Sequence, residues 1–297
     1  MMYYRRIVLL SILQEFGKDN KISKLDLQKL LFLFTQNQIK PSYHMIPYNF
    51  GCFSFQSYSD LGTLQKYNIV EEEEKNWRKI DDKNYFSLLT ENDKIKLLQL
   101  KDKFGKFTTD DLIQYVYRNY PYYAINSTVL DKHLNNDEEE IINKYRPKFD
   151  NEVLFSIGYE GIHIDEYLNK LIKNNIKLLC DVRKNALSMK YGFSKNQLIT
   201  ALNKLNIKYL HMPVLGINSD KRKNLKTQTD YDLLFEDYEN NYLINQKESL
   251  IQIINLIKNH KIIALTCFEA SYTRCHRSKI TKAIQKIPEW KYQIKHI

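Results

Sequence analysis

The sequence has 297 residues, of which 43% are hydrophobic and 13% aromatic, while glycine (8) and proline (6) are scarce. This composition favours about two domains of packed helices and sheets and excludes a linker-rich or disordered chain. The net charge of +10 is unevenly distributed along the chain. Residues 1–150 hold 22 basic and 21 acidic side chains, whereas residues 151–297 hold 23 basic and 14 acidic ones. The second half therefore favours polyanionic partners, nucleic acid first.

The cysteines and the N-terminus bear on the cellular compartment. Four cysteines, at positions 52, 180, 267 and 275, have no paired spacing and do not make a disulfide framework at this length. An arginine pair precedes an apolar run near the N-terminus, but Glu15 interrupts that run and no small-residue cleavage site follows. No segment reaches the roughly 18 apolar residues of a membrane span. We therefore expect a cytoplasmic protein with reduced thiols.

The first half of the chain has helical periodicity followed by a hairpin pattern. Apolar residues at helical spacing predict a helix over 3–16 and a second helix over 23–36. The run "EEEEKNWRKIDDKNYFSL" (71–88) then indicates a hairpin wing. Together these elements predict a winged-helix-like accessory domain over residues 1–135. Domains of this kind serve either DNA binding or protein contacts.

The second half has the alternating pattern of an α/β domain. A polar segment that contains Pro147 separates the two halves, and we assign residues 136–151 to a linker. Strands are predicted at 153–159, 176–182, 207–213 and 261–268, with helices at 164–175, 194–205, 248–260 and from about 275. This alternation predicts that residues 152–297 form an α/β domain, a mainly parallel sheet with helices on both faces.

Chemically notable residues follow each predicted strand. They are Gly158 with Tyr159, Asp181 with Arg183, His211, and Cys267 with Glu269. Ligands of open parallel sheets bind just beyond the carboxyl ends of the strands. The sequence therefore predicts one functional cleft at that edge.

Two carboxylates are the candidate catalytic groups of this cleft. Asp181 and Arg183 stand two residues apart, so both side chains point to the same side of the sheet. We expect the carboxylate to position a proton beside a guanidinium that holds an anionic oxygen; the alternative is a self-satisfying ion pair. Glu269 can face Asp181 across the sheet top, and such a pair supports acid–base chemistry or cleavage of a glycosidic bond, unless one of them merely holds an arginine.

The segment "RCHRS" (274–278) opens the last predicted helix and has the features of an anion pocket. Free backbone N–H groups and the helix dipole favour anions at such a position. His276 either moves a proton or serves as a hydrogen-bonding fixture. The residues that we expect to line the pocket are Arg274, Cys275, Arg277 and Ser278. Upstream, Lys190 and Tyr191 combine a basic and an aromatic side chain, which suits a nucleobase or a phosphate.

The cysteine spacings disfavour two other kinds of site. Cys267, Cys275 and His276 lack a second paired motif, so tetrahedral zinc would need distant ligands. A phosphatase-type loop needs an arginine six residues after its cysteine, and after Cys267 that position is Thr273. We therefore expect neither a metal ion nor a bound cofactor.

Several of these motifs, in order and spacing, resemble a bacterial family catalogued as domain of unknown function 488. They are the strand end at Gly158, Asp181-Val182-Arg183, the Tyr-x-His-x-Pro-x-Leu-Gly segment over 209–216, and Cys-His-Arg-Ser over 275–278. The family often has Gly-His at the first strand end, and Tyr159 here removes one candidate proton carrier. The resemblance implies an α/β fold with a motif-lined cleft for nucleic-acid or nucleotide processing.

We expect an enzyme, a hydrolase or glycosylase, that acts at a base or glycosidic bond. Its partner would be nucleic acid, with DNA expected before RNA, or a nucleotide, in DNA repair or phage defence. Asp181 and Glu269 would handle protons, and Tyr159 and Tyr191 would stack a base drawn out of the duplex. The alternatives are a non-enzymatic nucleic-acid-binding regulator and a sensor of small anions.

Overall fold

The computed structural model describes residues 2–148, 151–222 and 225–297. The chain forms two compact units, Met1–Arg146 and Pro147–Ile297. Their boundary falls inside the segment assigned to a linker, whose first 10 residues form a helix of the first unit. Residues 149 and 150 of that segment lie outside the described residues. In the described part of the chain, no helix is long and apolar enough to cross a membrane.

The first unit is mainly helical and contains two small antiparallel sheets. Its helices are α1 (Tyr4–Phe16), α2 (Lys24–Gln36), α3 (Phe55–Lys66), α4 (Glu91–Phe104), α5 (Thr109–Asn119), α6 (Leu130–His133) and α7 (Asn136–Tyr145). Its strands are β1 (Lys21–Ser23), β2 (Ile46–Tyr48), β3 (Gly51–Phe53), β4 (Val70–Glu72) and β5 (Asn76–Lys79). Strand β5 lies between β1 and β4 in one sheet, and β2 pairs with β3 in the other.

Local sequence signals account for the elements predicted in this unit. Leu27 and Leu30 on α2 are buried, as their helical spacing predicts. Ser23 caps α2 because its hydroxyl accepts a hydrogen bond from the backbone N–H of Asp26 at 2.9 Å. The region predicted as a wing covers the β4–β5 hairpin except for Val70, its first residue. The winged-helix interpretation of the whole unit remains a prediction.

The second unit is an α/β domain, and the predicted fold class is confirmed. Its strands are β6 (Val153–Gly158), β7 (Leu178–Asp181), β8 (Lys208–His211), β9 (Ile262–Cys267) and β10 (Gln293–His296). Its helices are α8 (Ile164–Lys173), α9 (Lys195–Asn203), α10 (Gln228–Asp237), α11 (Lys247–His260) and α12 (Arg277–Gln285). The sheet has the order β10-β6-β9-β7-β8, all strands are parallel, and the helices surround it.

The buried strands of this sheet were predicted from the sequence, and the exposed strand β10 was not. Every residue of β6 and β9 is buried, so both strands are apolar runs of the kind that fills the centre of a parallel sheet. Strand β10 lies at the sheet edge with mostly exposed side chains, and its sequence, "QIKH", has no strand signal. Helix α10 was not predicted either. It begins with a capping box in which the Thr227 hydroxyl accepts from the N–H of Asp230 at 3.2 Å.

The sheet register brings the predicted strand ends together. Strand β9 is central, with Cys267 beside Gly158 of β6 and Thr266 beside Asp181 of β7. On the other side of β7, Asp181 is level with His211 of β8. The carboxyl ends of four strands therefore lie in one row, and this row carries the candidate site.

Candidate functional site

A cavity of about 510 Å³ opens beyond the carboxyl ends of the strands, and we call it the cleft. Its volume lies in the usual range of small-molecule sites. The cleft is formed by the residues that follow β6, β7 and β9 and by the start of α12. Its lining includes Tyr159, Arg183, Lys184, Met189, Lys190, Cys267, Phe268 and His276.

Asp181 lies beneath the cleft in a buried ion pair with Arg183. The carboxylate has no exposed surface and accepts hydrogen bonds from Nε of Arg183 at 2.8 Å and from Nη2 at 2.5 Å. It also accepts from the backbone N–H of Arg183 at 3.1 Å and from the hydroxyl of Tyr209 at 2.7 Å. The self-satisfying pair that the sequence left open is therefore the arrangement present in the structure.

The electrostatics of this pair hold Arg183 in its charged form. Burial alone would lower the pKa of Arg183, but the hydrogen bonds and charge of Asp181 raise it well above its usual value. Burial and the charge of Asp181 also raise the pKa of Tyr209, so that hydroxyl stays protonated and donates. Because Asp181 is not part of the cleft lining, its role here is to position Arg183 rather than to reach a ligand.

Arg183 has few donors left for a phosphate. Its Nη1 donates to the hydroxyl of Tyr159 at 2.7 Å and to the backbone oxygen of Phe193 at 2.9 Å. Together with the bonds to Asp181, these contacts occupy most of its five N–H groups. Arg183 is 5% exposed and forms part of the cleft wall.

Of Tyr159 and Tyr191, the two aromatic residues predicted to hold a base, only Tyr159 lines the cleft. Tyr159 is buried, and one face of its ring stacks on Phe193 with centroids 4.2 Å apart and planes 9° apart. Tyr191 is half-buried and lies outside the cleft lining. Phe268 was not predicted, yet it is 45% exposed, lines the cleft and contacts Tyr159 edge-on. The signal that could have found it is an aromatic residue placed between Cys267 and Glu269 at the end of a buried strand.

Lysine and apolar side chains form the outer wall of the cleft. Lys190 donates from Nζ to the backbone oxygen of Tyr159 at 3.1 Å, and burial lowers its pKa below the usual value. Lys184 directly follows Arg183 and is partly exposed. Met189 is fully exposed on the same wall. This wall offers positive charge beside an apolar surface, a combination that suits a nucleotide.

A second cavity, also of about 510 Å³, borders the cleft and shares Phe268 with it. Glu269, Lys226 and Arg274 line this cavity. Arg274 is exposed, and it makes no hydrogen bond or ion pair with any residue that the structure describes. Its guanidinium is therefore open to a ligand, as an anion site requires.

The remaining residues of the "RCHRS" segment point inward. Arg277 is 1% exposed, and its Nη1 donates to Ser156 Oγ at 3.0 Å while its Nη2 donates to the backbone oxygen of Glu269 at 2.6 Å. Ser278 is buried as well, and its hydroxyl donates to the backbone oxygen of Cys275 at 2.8 Å. These side chains hold the turn before α12, so at this segment only Arg274 reaches the surface.

Gly158 and His211 have structural contacts at the same edge. A Cβ on Gly158 would lie 1.9 Å from the backbone oxygen of Glu269, so the glycine permits the segment after β9 to pack on β6. The Nε2 atom of His211 lies 2.9 Å from the backbone oxygen of Arg183 and fixes the chain after β7. Neither residue is in the cleft lining, although both were predicted to bind substrate.

Four side chains with metal-binding atoms meet next to the cleft: Cys267 and His276 line the cleft, Glu269 lines the second cavity, and Cys275 lies buried beside them. The ligand atoms of Cys267, Glu269, Cys275 and His276 all lie within 4.8 Å of one another. All except Glu269 are buried. Burial, and after it the contact with Cys267, raises the pKa of the Cys275 thiol well above its usual range. The spacing argument missed this cluster because its members come from two segments, the end of β9 and the turn before α12.

Comparison with known proteins places the second unit in a family context. Residues 163–284 match the family model described as Domain of unknown function DUF488, so the resemblance seen in the sequence is confirmed for this part of the chain. The matched region contains Asp181, Arg183 and the whole 267–278 segment, but not Gly158 or Tyr159. No curated protein and no solved structure matches the chain.

Proposed function

We propose that the second unit binds nucleic acid or a nucleotide across the cleft and the second cavity beside it, and hydrolyses it at a base or glycosidic bond. The observation that carries the proposal is the position of Glu269. This carboxylate is partly exposed at the end of the central strand, beside the exposed ring of Phe268. On either side of Phe268 lies a cavity with basic residues in its wall.

Charge and aromatic surface support a nucleic-acid ligand. Lys184 and Lys190 lie in the wall of the cleft, and Lys226 and Arg274 lie in the wall of the second cavity. These cations would contact phosphates, which supply most of the affinity in nucleic-acid binding. Phe268 would stack on a base between the two groups of cations. DNA is the substrate that we expect first, in repair or phage defence.

The proposed chemistry uses Glu269 without Asp181. Asp181 is fully buried and engaged by Arg183 and Tyr209, so the paired-carboxylate mechanism expected from the sequence has one member out of reach. In the proposal, Glu269 activates a water molecule or stabilises positive charge on the sugar as the bond to the base breaks. The second candidate function is non-enzymatic binding. It is favoured by the burial of Asp181, because this buried carboxylate cannot reach a ligand.

The test measures binding and turnover with the full-length protein. Fluorescence anisotropy with single- and double-stranded oligonucleotides, repeated at several salt concentrations, gives affinity and its salt dependence. Lys190→Ala and Arg274→Ala should each weaken binding and reduce the salt dependence. Lys258→Ala is the matched control because Lys258 is exposed in the last turn of α11, before β9 begins, at the opposite edge of the sheet.

Turnover separates the two candidate functions. Mass spectrometry of oligonucleotides and nucleotides, including damaged and modified bases, would detect a released base or an abasic product. Glu269→Gln should abolish this product while the affinity for the oligonucleotide stays within a few-fold. Binding without any product across the panel would support the non-enzymatic candidate. Equal affinity of the Lys190→Ala, Arg274→Ala and Lys258→Ala proteins would exclude the cleft and the second cavity as the binding surface.

A further inference from the structure

The geometry points to a zinc site formed by Cys267, Cys275, His276 and Glu269, where the cleft borders the second cavity. This inference concerns metal binding and does not depend on the proposed hydrolase function. Two cysteines, a histidine and a carboxylate supply four donor atoms of the types that Zn²⁺ binds in proteins. The following contacts show that these atoms are arranged for one ion.

The distances between the donor atoms match a tetrahedral site. Zinc bonds of about 2.3 Å to sulfur and about 2.0–2.2 Å to nitrogen or oxygen separate neighbouring ligand atoms by about 3.3–3.8 Å. Nδ1 of His276 lies 3.7 Å from Sγ of Cys267 and 3.8 Å from Sγ of Cys275. Oε2 of Glu269 lies 3.1 Å from Sγ of Cys267. One ion can therefore contact all four atoms with small side-chain shifts.

His276 is held in the orientation that a metal ligand needs. Its Nε2 lies 3.1 Å from the backbone oxygen of Val182. Because a carbonyl oxygen can only accept a hydrogen bond, Nε2 must be the donor. The proton therefore resides on Nε2, and the lone pair of Nδ1 points towards the two sulfur atoms. Histidine ligands of metals usually donate their second ring N–H to a carbonyl or carboxylate in this way. Tyr238 packs edge-on against the ring and restricts its rotation.

Arg277 provides a second argument, from charge. This guanidinium is buried, and among the described residues its contacts are the Sγ of Cys275 at 3.2 Å, a serine hydroxyl and a backbone oxygen. A buried cation is costly unless an anion lies near it. A Cys275 thiolate would supply that negative charge, and hydrogen bonds from surrounding groups to metal-bound sulfur are known from other thiolate–metal centres.

The ligand chemistry selects the ion. Thiolate and imidazole ligands favour zinc over Mg²⁺ or Ca²⁺, which prefer oxygen ligands. On binding, each coordinating thiol loses its proton to solvent, so zinc uptake is accompanied by proton release. Glu269 is the one partly exposed ligand, and we infer that its oxygen is the exchangeable position of the site.

The experiment measures metal content and ligand identity in the full-length protein. The reduced protein, purified without chelators, should contain one zinc per chain by inductively coupled plasma mass spectrometry. After removal of zinc, titration with Co²⁺ should produce thiolate-to-cobalt charge-transfer absorption. Cys275→Ala should lose the metal, whereas Cys52→Ala, which removes a buried cysteine of the first unit, should keep it. Glu269→Gln should retain one zinc with at least a tenfold weaker affinity.

Several outcomes would overturn the zinc site. They include a folded, reduced protein that takes up no Zn²⁺ or Co²⁺, a cobalt spectrum without thiolate charge transfer, and a Cys275→Ala protein with unchanged metal content. The cobalt titration of the unsubstituted protein decides the question even if Cys275→Ala does not fold. An unsubstituted protein that holds zinc but turns over no nucleic acid or nucleotide would contradict the proposed function alone. Absence of metal with turnover retained would contradict the zinc site alone.

Discussion

Arg183 and Asp181 form a buried ion pair in which two guanidinium nitrogens bind one carboxylate, at 2.8 Å from Nε and 2.5 Å from Nη2. The two residues flank Val182 at the end of β7, so the pair fixes the backbone whose carbonyl at Val182 receives the hydrogen bond of His276. The pair therefore supports the cleft wall above it and the proposed zinc ligand beside it. Its partner Tyr209, on the neighbouring strand, ties β8 to the same carboxylate.

Removal of the Asp181 charge should destabilise the second unit strongly. Asp181→Asn leaves a buried guanidinium without its counter-ion, which costs about 3–5 kcal/mol in comparable pairs. We expect a decrease of this size in the free energy of unfolding by urea. Glu71→Gln is the control, because the Glu71–Arg78 pair of the first unit is exposed and should leave the stability nearly unchanged. An Asp181→Asn protein as stable as the unsubstituted one would contradict the structural role of the pair.

Two glycine substitutions should have opposite effects. In Gly158→Ala the new methyl group would overlap the backbone oxygen of Glu269, so the segment after β9 must move. We expect loss of stability together with loss of binding at the cleft. In Gly62→Ala nothing lies within 4 Å of the added carbon and the residue is inside α3, so a gain of about 0.5–1 kcal/mol is expected. Thermal unfolding of both proteins measures the contrast, and a neutral Gly158→Ala would refute the close packing.

The buried thiol of Cys180 should make stability decrease at alkaline pH. Burial raises its pKa to about 12 in the folded protein, whereas an unfolded cysteine has a pKa of about 8.5. The folded state keeps a proton that the unfolded state loses, so this contribution is complete below about pH 8.5 and is lost as the pH rises to about 12. Each such proton gives a slope of about 1.4 kcal/mol per pH unit.

The measurement compares the unsubstituted protein with Cys180→Ala. Both proteins are reduced, treated with chelator and unfolded with urea at several pH values between about 8 and about 11. The free energy of unfolding should decrease less steeply with pH for Cys180→Ala, by the slope that corresponds to one proton. Other buried groups contribute equally to both proteins and cancel in the comparison. Parallel pH dependences would show that Cys180 is ionised or exposed in the folded state. The lower stability that the substitution itself causes shifts the curves without changing the expected difference in slope.

The sheet could be predicted from the sequence because its inner strands are simple patterns. Strands β6 and β9 are buried throughout and read as unbroken apolar runs, and β7 is a short buried run that ends in Asp181. Strand β10 was not predicted, because an exposed strand at the edge of a sheet needs no pattern of apolar residues. The position of the cleft at the row of strand ends could be predicted too, because parallel strands place their carboxyl ends at the same edge of the sheet.

The orientation of the site residues could not be predicted in the same way. Asp181 is buried because Arg183 and Tyr209 satisfy it, and the contact with Tyr209 joins residues 28 positions apart on separate strands. Cys275 and His276 reach Cys267 only because the 268–276 segment folds back over β9 and β6, which depends on the space left by Gly158. Both facts arise from tertiary packing rather than from local spacing.

The exposed ring of Phe268 offers the most direct test of base recognition at the cleft. Stacking on an aromatic side chain contributes about 1–3 kcal/mol per base, so Phe268→Ala should weaken binding of a single-stranded oligonucleotide by about 5- to 150-fold. Phe268→Leu keeps an apolar contact but lacks a π-face and should lose most of the same affinity, whereas Phe268→Trp should restore it. Because Phe268 is 45% exposed, all three proteins should unfold at nearly the temperature of the unsubstituted one. Equal affinities for the leucine and tryptophan variants would show that the ring contributes apolar surface alone, and unchanged affinity in Phe268→Ala would place the base elsewhere.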